Sequence, residues 1–220
     1  MKRTVVLACL LLLPCLVRAD STGRAYQAMG LKTKDVLTGT VLVSLVAPGE
    51  SKQIVCLTTY LTGKKEKNDA VNVRLDVFNE SSGKLVSIYS RDFGAEQGGF
   101  LGNGNLQLLD LDSDGRQEII ASFESFHDPL IKQRLAEVIL YDDSGFRTAW
   151  SGPVEYDATR AARDVPRERR DRFEREFDFA RTLRSRGSTL FIQKTMVAVA
   201  GEPLASPKTV QETFPLRPQR

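Results

Sequence analysis

The residues with the clearest potential for chemistry lie in residues 110–120, which read DLDSDGRQEII. Three aspartates alternate with other residues, a glycine follows, and the stretch then becomes apolar. A calcium ion takes six to eight oxygen ligands at about 2.3 to 2.6 Å, and a D-x-D-x-D-G loop coils so that its first, third and fifth side chains converge. The spacing predicts a Ca²⁺ site whose ligands are the side chains of Asp110, Asp112, Asp114 and Glu118 and the backbone carbonyl of Arg116.

Gly115 holds the sixth position of this loop, where a sharp turn favours a positive φ that glycine adopts without steric cost. Three carboxylates at this spacing repel one another unless a cation lies between them. We therefore expect a structural ion that crosslinks two strands and neutralises the acidic cluster.

The residues after the loop exclude an EF-hand. The twelfth position of an EF-hand loop is a bidentate glutamate, whereas this chain has Ala121. An EF-hand also needs a helix on each side, and residues 118–123, EIIASF, predict a strand instead.

No motif for catalysis is found. His127 is the one histidine, no G-x-S-x-G motif is present, and one His with one distant Cys supplies too few ligands for zinc. No pair of carboxylates stands out as a glycosidase site. We expect a protein that is not an enzyme, with a glycan-directed enzyme that uses an unrecognised carboxylate pair as an alternative.

The first residues, MKRTVVLACLLLLPCLVRAD, have the layout of a secretory signal peptide. A basic start precedes an apolar segment that is too short to span a bilayer, and small residues mark a cleavage site after Ala19. The sequence thus predicts a signal peptide at 1–19, a single domain at 20–220, a secreted or periplasmic location and no stable membrane insertion.

Charge and cysteine content narrow the function further. The chain has 31 basic and 28 acidic residues, and the surplus of three lies in the predicted signal. A balanced mature chain gives no reason to expect nucleic acid as a partner. Cys56 is the one cysteine left after cleavage, and its apolar surroundings predict a buried small hydrophobe.

Short β-type segments bounded by turn residues follow one another along the chain. The first group comprises a strand at 53–60 and a hairpin at 71–90, and the second a strand at 118–123 and a hairpin at 137–150. The two groups align at an offset of about 63 residues, which predicts repeated antiparallel β-units. We place these units at 38–92 and 104–154, with a weaker third copy at 187–216.

A densely charged segment separates the second and third units. Phe173, Phe177 and Ala180 recur at helical spacing, Pro166 lies near the start, and Gly187 follows the end. The pattern predicts one charged amphipathic helix at 168–184, and its mixed charges favour a solvated face over a phosphate site.

Residues 108–122, LLDLDSDGRQEIIAS, closely resemble the calcium loop and flanking strands of FG-GAP and VCBS repeats, which belong to secreted and cell-surface β-propellers. The resemblance implies a mainly β, propeller-like fold, although two or three units are few for a closed propeller. In the first unit the equivalent residues 47–51 contain one acid, so we expect no ion there.

The predicted function is that of a calcium-binding module for a protein or glycan partner. Some small secreted proteins with one such loop resemble periplasmic lysozyme inhibitors. The alternative is therefore an inhibitor of a secreted hydrolase such as lysozyme, with the loop at 123–132 entering the target's cleft.

Overall fold

The computed structural model describes residues 13–49, 51–62, 70–94, 101–125, 132–157, 177–186, 189–199 and 202–216. Within these ranges the protein is mainly β, as expected. One α-helix, α1 (Leu13–Ala28), is followed by a short 3-10 helix at Thr33–Asp35. The strands are β1 (Val36–Ser44), β2 (Gln53–Thr62), β3 (Ala70–Ser81), β4 (Lys84–Asp92), β5 (Leu101–Leu109), β6 (Glu118–Ser125), β7 (Lys132–Asp142), β8 (Gly145–Asp157), β9 (Phe177–Arg186), β10 (Thr189–Val199) and β11 (Glu202–Pro215).

The strands form two antiparallel sheets. The first has the order β1-β2-β3-β4, and the second has the order β11-β10-β9-β8-β7-β6-β5. Every neighbour in a sheet is also the next strand along the chain, so both sheets are meanders. A closed propeller is not formed by the strands that the structure describes.

The space between the four-stranded sheet and β5–β7 is filled by apolar side chains. They come from every second residue along the strands, because these residues point to the same face of a sheet. Val55 and Leu57 of β2 face Ile119 and Phe123 of β6 across this core, and all four are almost fully buried. Burial of such side chains contributes roughly 1.5 to 3 kcal/mol each to the free energy of folding. This core holds the two sheets together.

Two further cores lie on the outer faces of this pair of sheets. The end of α1 covers the other face of the four-stranded sheet, where Tyr26 packs with Ile54 and Phe78. The second face of β7 and β8 packs Trp150 against Leu190 of β10. The molecule is therefore layered, with α1, the four-stranded sheet, β5–β8 and the β10 region in succession.

The hairpins β3–β4 and β7–β8 carry the same irregularity. In the first, Val77 pairs with Tyr89 and the next residue pairs with Ser87; in the second, Val138 pairs with Trp150 and the next residue with Thr148. Positions 77 and 89 thus correspond to 138 and 150, an offset of 61 residues. A bulge inserts one extra residue and bends the strand, so both hairpins bend at the same point.

The prediction of a helix at 168–184 is wrong for residues 177–184. Residues 177–184 belong to strand β9, and residues 168–176 lie outside the described part of the chain. The sequence FDFARTL fits an alternating pattern as well as a helical one. Pairing with β10 along the whole length of β9 decides between them, because tertiary contacts override local propensity.

Other predicted boundaries differ in smaller ways. Strand β5 begins at Leu101, before the predicted start of the second unit at residue 104. The predicted third unit at 187–216 contains two long strands, β10 and β11. Helix α1 continues past Ala19, and the cleavage at that position stays a prediction.

Candidate metal centre

The acidic loop connects β5, which ends at Leu109, to β6, which begins at Glu118. Two of its residues have left-handed backbone conformations, Ser113 with φ 61° and Gly115 with φ 86°. The positive φ predicted for Gly115 is confirmed. A Cβ there would meet no atom within 4 Å, so backbone conformation rather than space is the reason for glycine.

Three carboxylates converge inside this loop. Asp110, Asp112 and Glu118 each offer an oxygen, and these oxygens lie within 4.8 Å of one another. Two ligands of one calcium ion can be at most about 5 Å apart, since each lies about 2.3 to 2.6 Å from the ion. The three side chains therefore fit a single shared cation without rearrangement.

Asp114 is directed differently from the other predicted ligands. Its Oδ2 accepts hydrogen bonds from the Arg116 guanidinium, with distances of 2.6 Å to Nη2 and 3.0 Å to Nε. Its Oδ1 accepts the Arg116 backbone N–H at 2.8 Å. Asp114 thus lies outside the group of three and forms an ion pair with the residue two positions on.

Backbone N–H groups of the loop orient the first carboxylate. The N–H of Asp114 donates to Asp110 Oδ1 at 3.1 Å, and the N–H of Gly115 donates to Asp110 Oδ2 at 3.1 Å. The Asp114 N–H also lies 3.2 Å from Asp112 Oδ1. These bonds pre-organise the loop, since they hold the aspartates in place before an ion arrives.

Glu118 is the buried member of the group, with 3% of its surface exposed. Its Oε2 accepts the backbone N–H of Leu111 at 2.6 Å, across the loop. The pKa of this carboxyl is raised to about 7, mainly by burial and to a smaller extent by the negative charges of Asp112 and Asp114. A nearby cation has the opposite effect, because it stabilises the ionised form.

The exit of the loop is attached to the other sheet. The N–H of Gln117 donates to the carbonyl of Leu45 at 2.8 Å, and the Ser44 hydroxyl donates to Gln117 Oε1 at 2.5 Å. Sequence analysis did not single out Gln117, because nothing in its neighbourhood signals a contact 72 residues away. The loop therefore touches both sheets at one point.

The loop at residues 47–51, where no ion was expected, has a different internal structure. The N–H groups of Val46 and Ala47 donate to the side-chain oxygen of Gln53, at 2.9 and 3.1 Å. Glu50, the one acid of that loop, lies outside the described residues.

Cys56 is fully buried, as predicted. Burial raises the pKa of its thiol to about 11, with a hydrogen bond to Thr58 acting in the opposite direction. The neutral thiol is the form present at physiological pH, so Cys56 is a packing residue rather than a nucleophile. His127 and most of the predicted inhibitory loop lie outside the described residues.

Two buried carboxylates were not anticipated from the sequence. Asp76 of β3 is fully buried and pairs with Arg74 at 2.7 Å, and Glu137 of β7 pairs with Arg91 at 2.9 Å. Both acids point into packed cores, so neither is accessible to a glycan. Among the described residues, these acids thus give no support to a glycosidase pair.

No helix in the described part of the chain has the length and apolar character needed to cross a bilayer. Comparisons with models of known families, with curated proteins and with solved structures found no match for this chain. The relation to FG-GAP and VCBS repeats therefore stays a prediction from the residues of the loop.

Proposed function

We propose that this protein is a secreted or periplasmic, non-catalytic binding module whose loop at residues 110–118 holds a structural Ca²⁺ ion. The observation that carries the proposal is the convergence of Asp110, Asp112 and Glu118 within 4.8 Å in a pre-organised loop. The partner is a macromolecule, either a protein or a glycan.

Calcium fits this site better than other cations. The donor atoms are carboxylate oxygens, which suit hard cations rather than zinc or copper. Magnesium demands near-ideal octahedral geometry and keeps several waters, whereas calcium accepts irregular sets of six to eight ligands. The Arg116 carbonyl and water molecules would complete the coordination. Extracellular modules bind calcium with dissociation constants of about 10⁻⁴ to 10⁻³ M.

We also propose that repeated β-units stack in a propeller-like way, and the two hairpins support this arrangement. Val77 of β3 faces the second sheet, and its counterpart at the 61-residue offset, Val138 of β7, faces β10. Corresponding residues thus face the next layer in the same direction. Face-to-face stacking of units in one direction is how repeat proteins bury a continuous core.

A titration tests the metal site. Calcium added to the chelator-treated protein should give a saturable heat signal in calorimetry, and Asp112→Asn should remove it. Asp143→Asn, the same change in an exposed hairpin turn, is the matched control and should bind as the original protein does. Equal binding by the Asp112 variant would contradict the assignment.

The binding role needs its own experiment. Capture from the extracytoplasmic fraction, with and without calcium, should recover one macromolecular partner reproducibly. Parallel assays should measure inhibition of lysozyme and hydrolysis of peptidoglycan by the protein itself. Inhibition without hydrolysis supports the inhibitor hypothesis, whereas turnover of peptidoglycan would overturn the non-catalytic proposal.

A further inference from the structure

Leu111 lies between two of the predicted ligands, Asp110 and Asp112, and its backbone and side chain have different partners. The backbone N–H donates to Glu118 Oε2 at 2.6 Å, within the loop. The side chain is 7% exposed and belongs to the hydrophobic core that contains Trp150 of β8. One residue therefore connects the acidic cluster to a core outside the loop.

This core, called here the Trp150 core, joins the metal loop to two groups of strands. Its buried members come from the loop, from β7 and β8, and from the layer formed by β10, β11 and the residue after β11. They are Leu111, Ala136, Val138, Leu140, Trp150, Leu190, Ile192 and Leu216. Side chains in such a core are packed as densely as in an organic crystal, so movement of one member displaces its neighbours. The positions of the loop and of the β10–β11 layer therefore depend on each other.

The end of the β10–β11 layer is also held by polar contacts. Arg147 of β8 donates to the Leu216 carbonyl at 2.5 Å and forms an ion pair with Asp142 of β7. On the apolar side, the ring of Phe214 lies 6.5 Å from that of Trp150, edge to face. The layer thus docks on β7 and β8 through the same core that receives Leu111.

The charges of the loop act on the backbone on both sides of Leu111. Oxygens of Asp110, Asp112 and Glu118 lie within 4.8 Å of one another. Like charges at this distance repel, and a cation among them reverses the sign of the interaction. A bound ion therefore fixes residues 110 and 112, and with them the entry of the Leu111 side chain into the Trp150 core.

We infer that calcium bound by the loop strengthens the docking of the β10–β11 layer on β7 and β8, with Leu111 as the positioning residue. The inference rests on the proposed calcium site and deepens it, because it assigns the part of the molecule that responds to the ion. Such coupling is reciprocal. A partner that binds the docked layer better than the undocked one increases the calcium affinity by the same factor by which calcium increases the affinity for that partner.

Trp150 reports on this docking without a label, because it is the one tryptophan of the chain. Calcium added to the chelator-treated protein should change its fluorescence, with half-saturation at about 10⁻⁴ to 10⁻³ M. The far-UV circular dichroism should stay constant, since one layer docks more firmly while the sheets remain formed. A large far-UV change would overturn the inference, because calcium would then refold the whole chain.

Variants of Leu111 test the route. Leu111→Ala should remove most of the fluorescence change and weaken calcium binding about fivefold or more. Leu111→Met, which conserves the volume, should restore both. Leu85→Ala, the same truncation on β4 outside the Trp150 core, is the matched control and should respond as the original protein does. If Leu111→Ala does not fold, Leu111→Val removes a single methylene and should give a smaller loss in the same direction.

Calorimetry beside fluorescence separates this inference from the metal site on which it rests. Heat of calcium binding with unchanged Trp150 fluorescence would overturn the coupling and leave the metal site intact. The absence of any heat would overturn both. A full fluorescence change in a folded Leu111→Ala or Leu111→Val variant would overturn the role of Leu111.

Discussion

Glu118 is a buried carboxyl group in the acidic loop, so its ionisation depends on the charges and hydrogen-bond donors around it. The side chain is 3% exposed, and the backbone N–H of Leu111 donates a hydrogen bond to its carboxylate. Ionisation of a buried carboxylate is costly unless a cation or several donors compensate. The proposed calcium ion would supply that compensation.

In the absence of calcium, stability should fall as pH rises. The pKa of Glu118 is raised from 4.5 to about 7 in the folded protein, so the folded state binds the proton more tightly than the unfolded state between these values. The free energy of unfolding should therefore decrease from about pH 4.5 to pH 7 and level off above. The decrease is of the order of 3 kcal/mol, because one pKa unit corresponds to about 1.4 kcal/mol.

Urea unfolding at pH 5 and pH 8, in chelator and in calcium, measures this effect. Calcium should reduce the dependence on pH, and Glu118→Gln should remove the part of it seen in chelator. An identical slope with and without calcium would show that Glu118 does not contact the ion.

The ion pair of Asp114 with Arg116 leads to a second prediction at this scale. Arg116→Ala should raise calcium affinity a few-fold, because it removes a positive charge beside the site and releases the Asp114 carboxylate. Calorimetry measures the change, with Arg24→Ala, which breaks a distant surface pair, as control. An unchanged affinity would mean that Asp114 contributes nothing to binding.

Sequence patterns predicted much of the candidate site but not the orientation of each ligand. The D-x-D-x-D-G spacing pointed to Gly115, and the structure confirms its positive φ. The same spacing gave Asp110, Asp112 and Glu118, which the structure brings together. The ion pair of Asp114 depends on a side-chain rotamer of Arg116, which the spacing does not encode.

Among the elements, hairpins were predicted well because their turn residues and alternation are local signals. The segment 71–90 forms the hairpin β3–β4 as expected, with its turn at Ser82 and Gly83. Strand β9 was not predicted, because its sequence fits two periods and the decision depends on β10. Local sequence patterns thus predict those elements that depend on their own residues, such as hairpins, and not those that depend on a neighbouring strand.

Helix α1 approaches the first sheet at a glycine, which gives a prediction for this element. A Cβ at Gly39 of β1 would overlap the Tyr26 hydroxyl. Gly39→Ala should lower the free energy of unfolding by about 1 to 3 kcal/mol, as overpacking does. Urea denaturation of Gly39→Ala, Tyr26→Ala and the double variant measures the coupling.

The double variant should lose less stability than the sum of the two single variants, because each residue obstructs the other. Strict additivity would show that α1 does not pack on β1 at this point.

At the scale of the whole molecule, a buried ion pair joins the two sheets. Arg91 of β4 donates to Glu137 Oε1 of β7 at 2.9 Å, and the Thr148 hydroxyl donates to Glu137 Oε2 at 3.2 Å. Such a pair favours one arrangement of the two sheets when both partners are present. If one partner is removed, the other is left as an uncompensated buried charge, which is unfavourable.

Arg91→Met should therefore lower the free energy of unfolding more than the removal of both charges does. It leaves Glu137 buried without its main counter-charge and should cost about 3 kcal/mol of stability, whereas Arg91→Met with Glu137→Met should recover most of that loss. Denaturation curves at pH 7 measure the difference. A double variant less stable than either single variant would contradict this view of the interface.

The order of layers depends on long-range contacts that no local pattern reveals. Gln117 reaches Leu45, and Arg91 reaches Glu137, and neither pair has a sequence signature. The alternating patterns did predict antiparallel β-structure, which both sheets have. The repetition of two β-units stays a prediction from the sequence alignment.

The central claim is that a calcium ion bound by residues 110–118 stabilises the fold. The melting temperature in chelator and in about 5 mM calcium tests it most directly. A dissociation constant of about 10⁻⁴ to 10⁻³ M corresponds to about 1 to 2 kcal/mol of stabilisation, or roughly 2 to 8 °C. We predict this increase for the original protein and none for Asp112→Asn, and equal melting temperatures of the original protein in the two conditions would contradict the account.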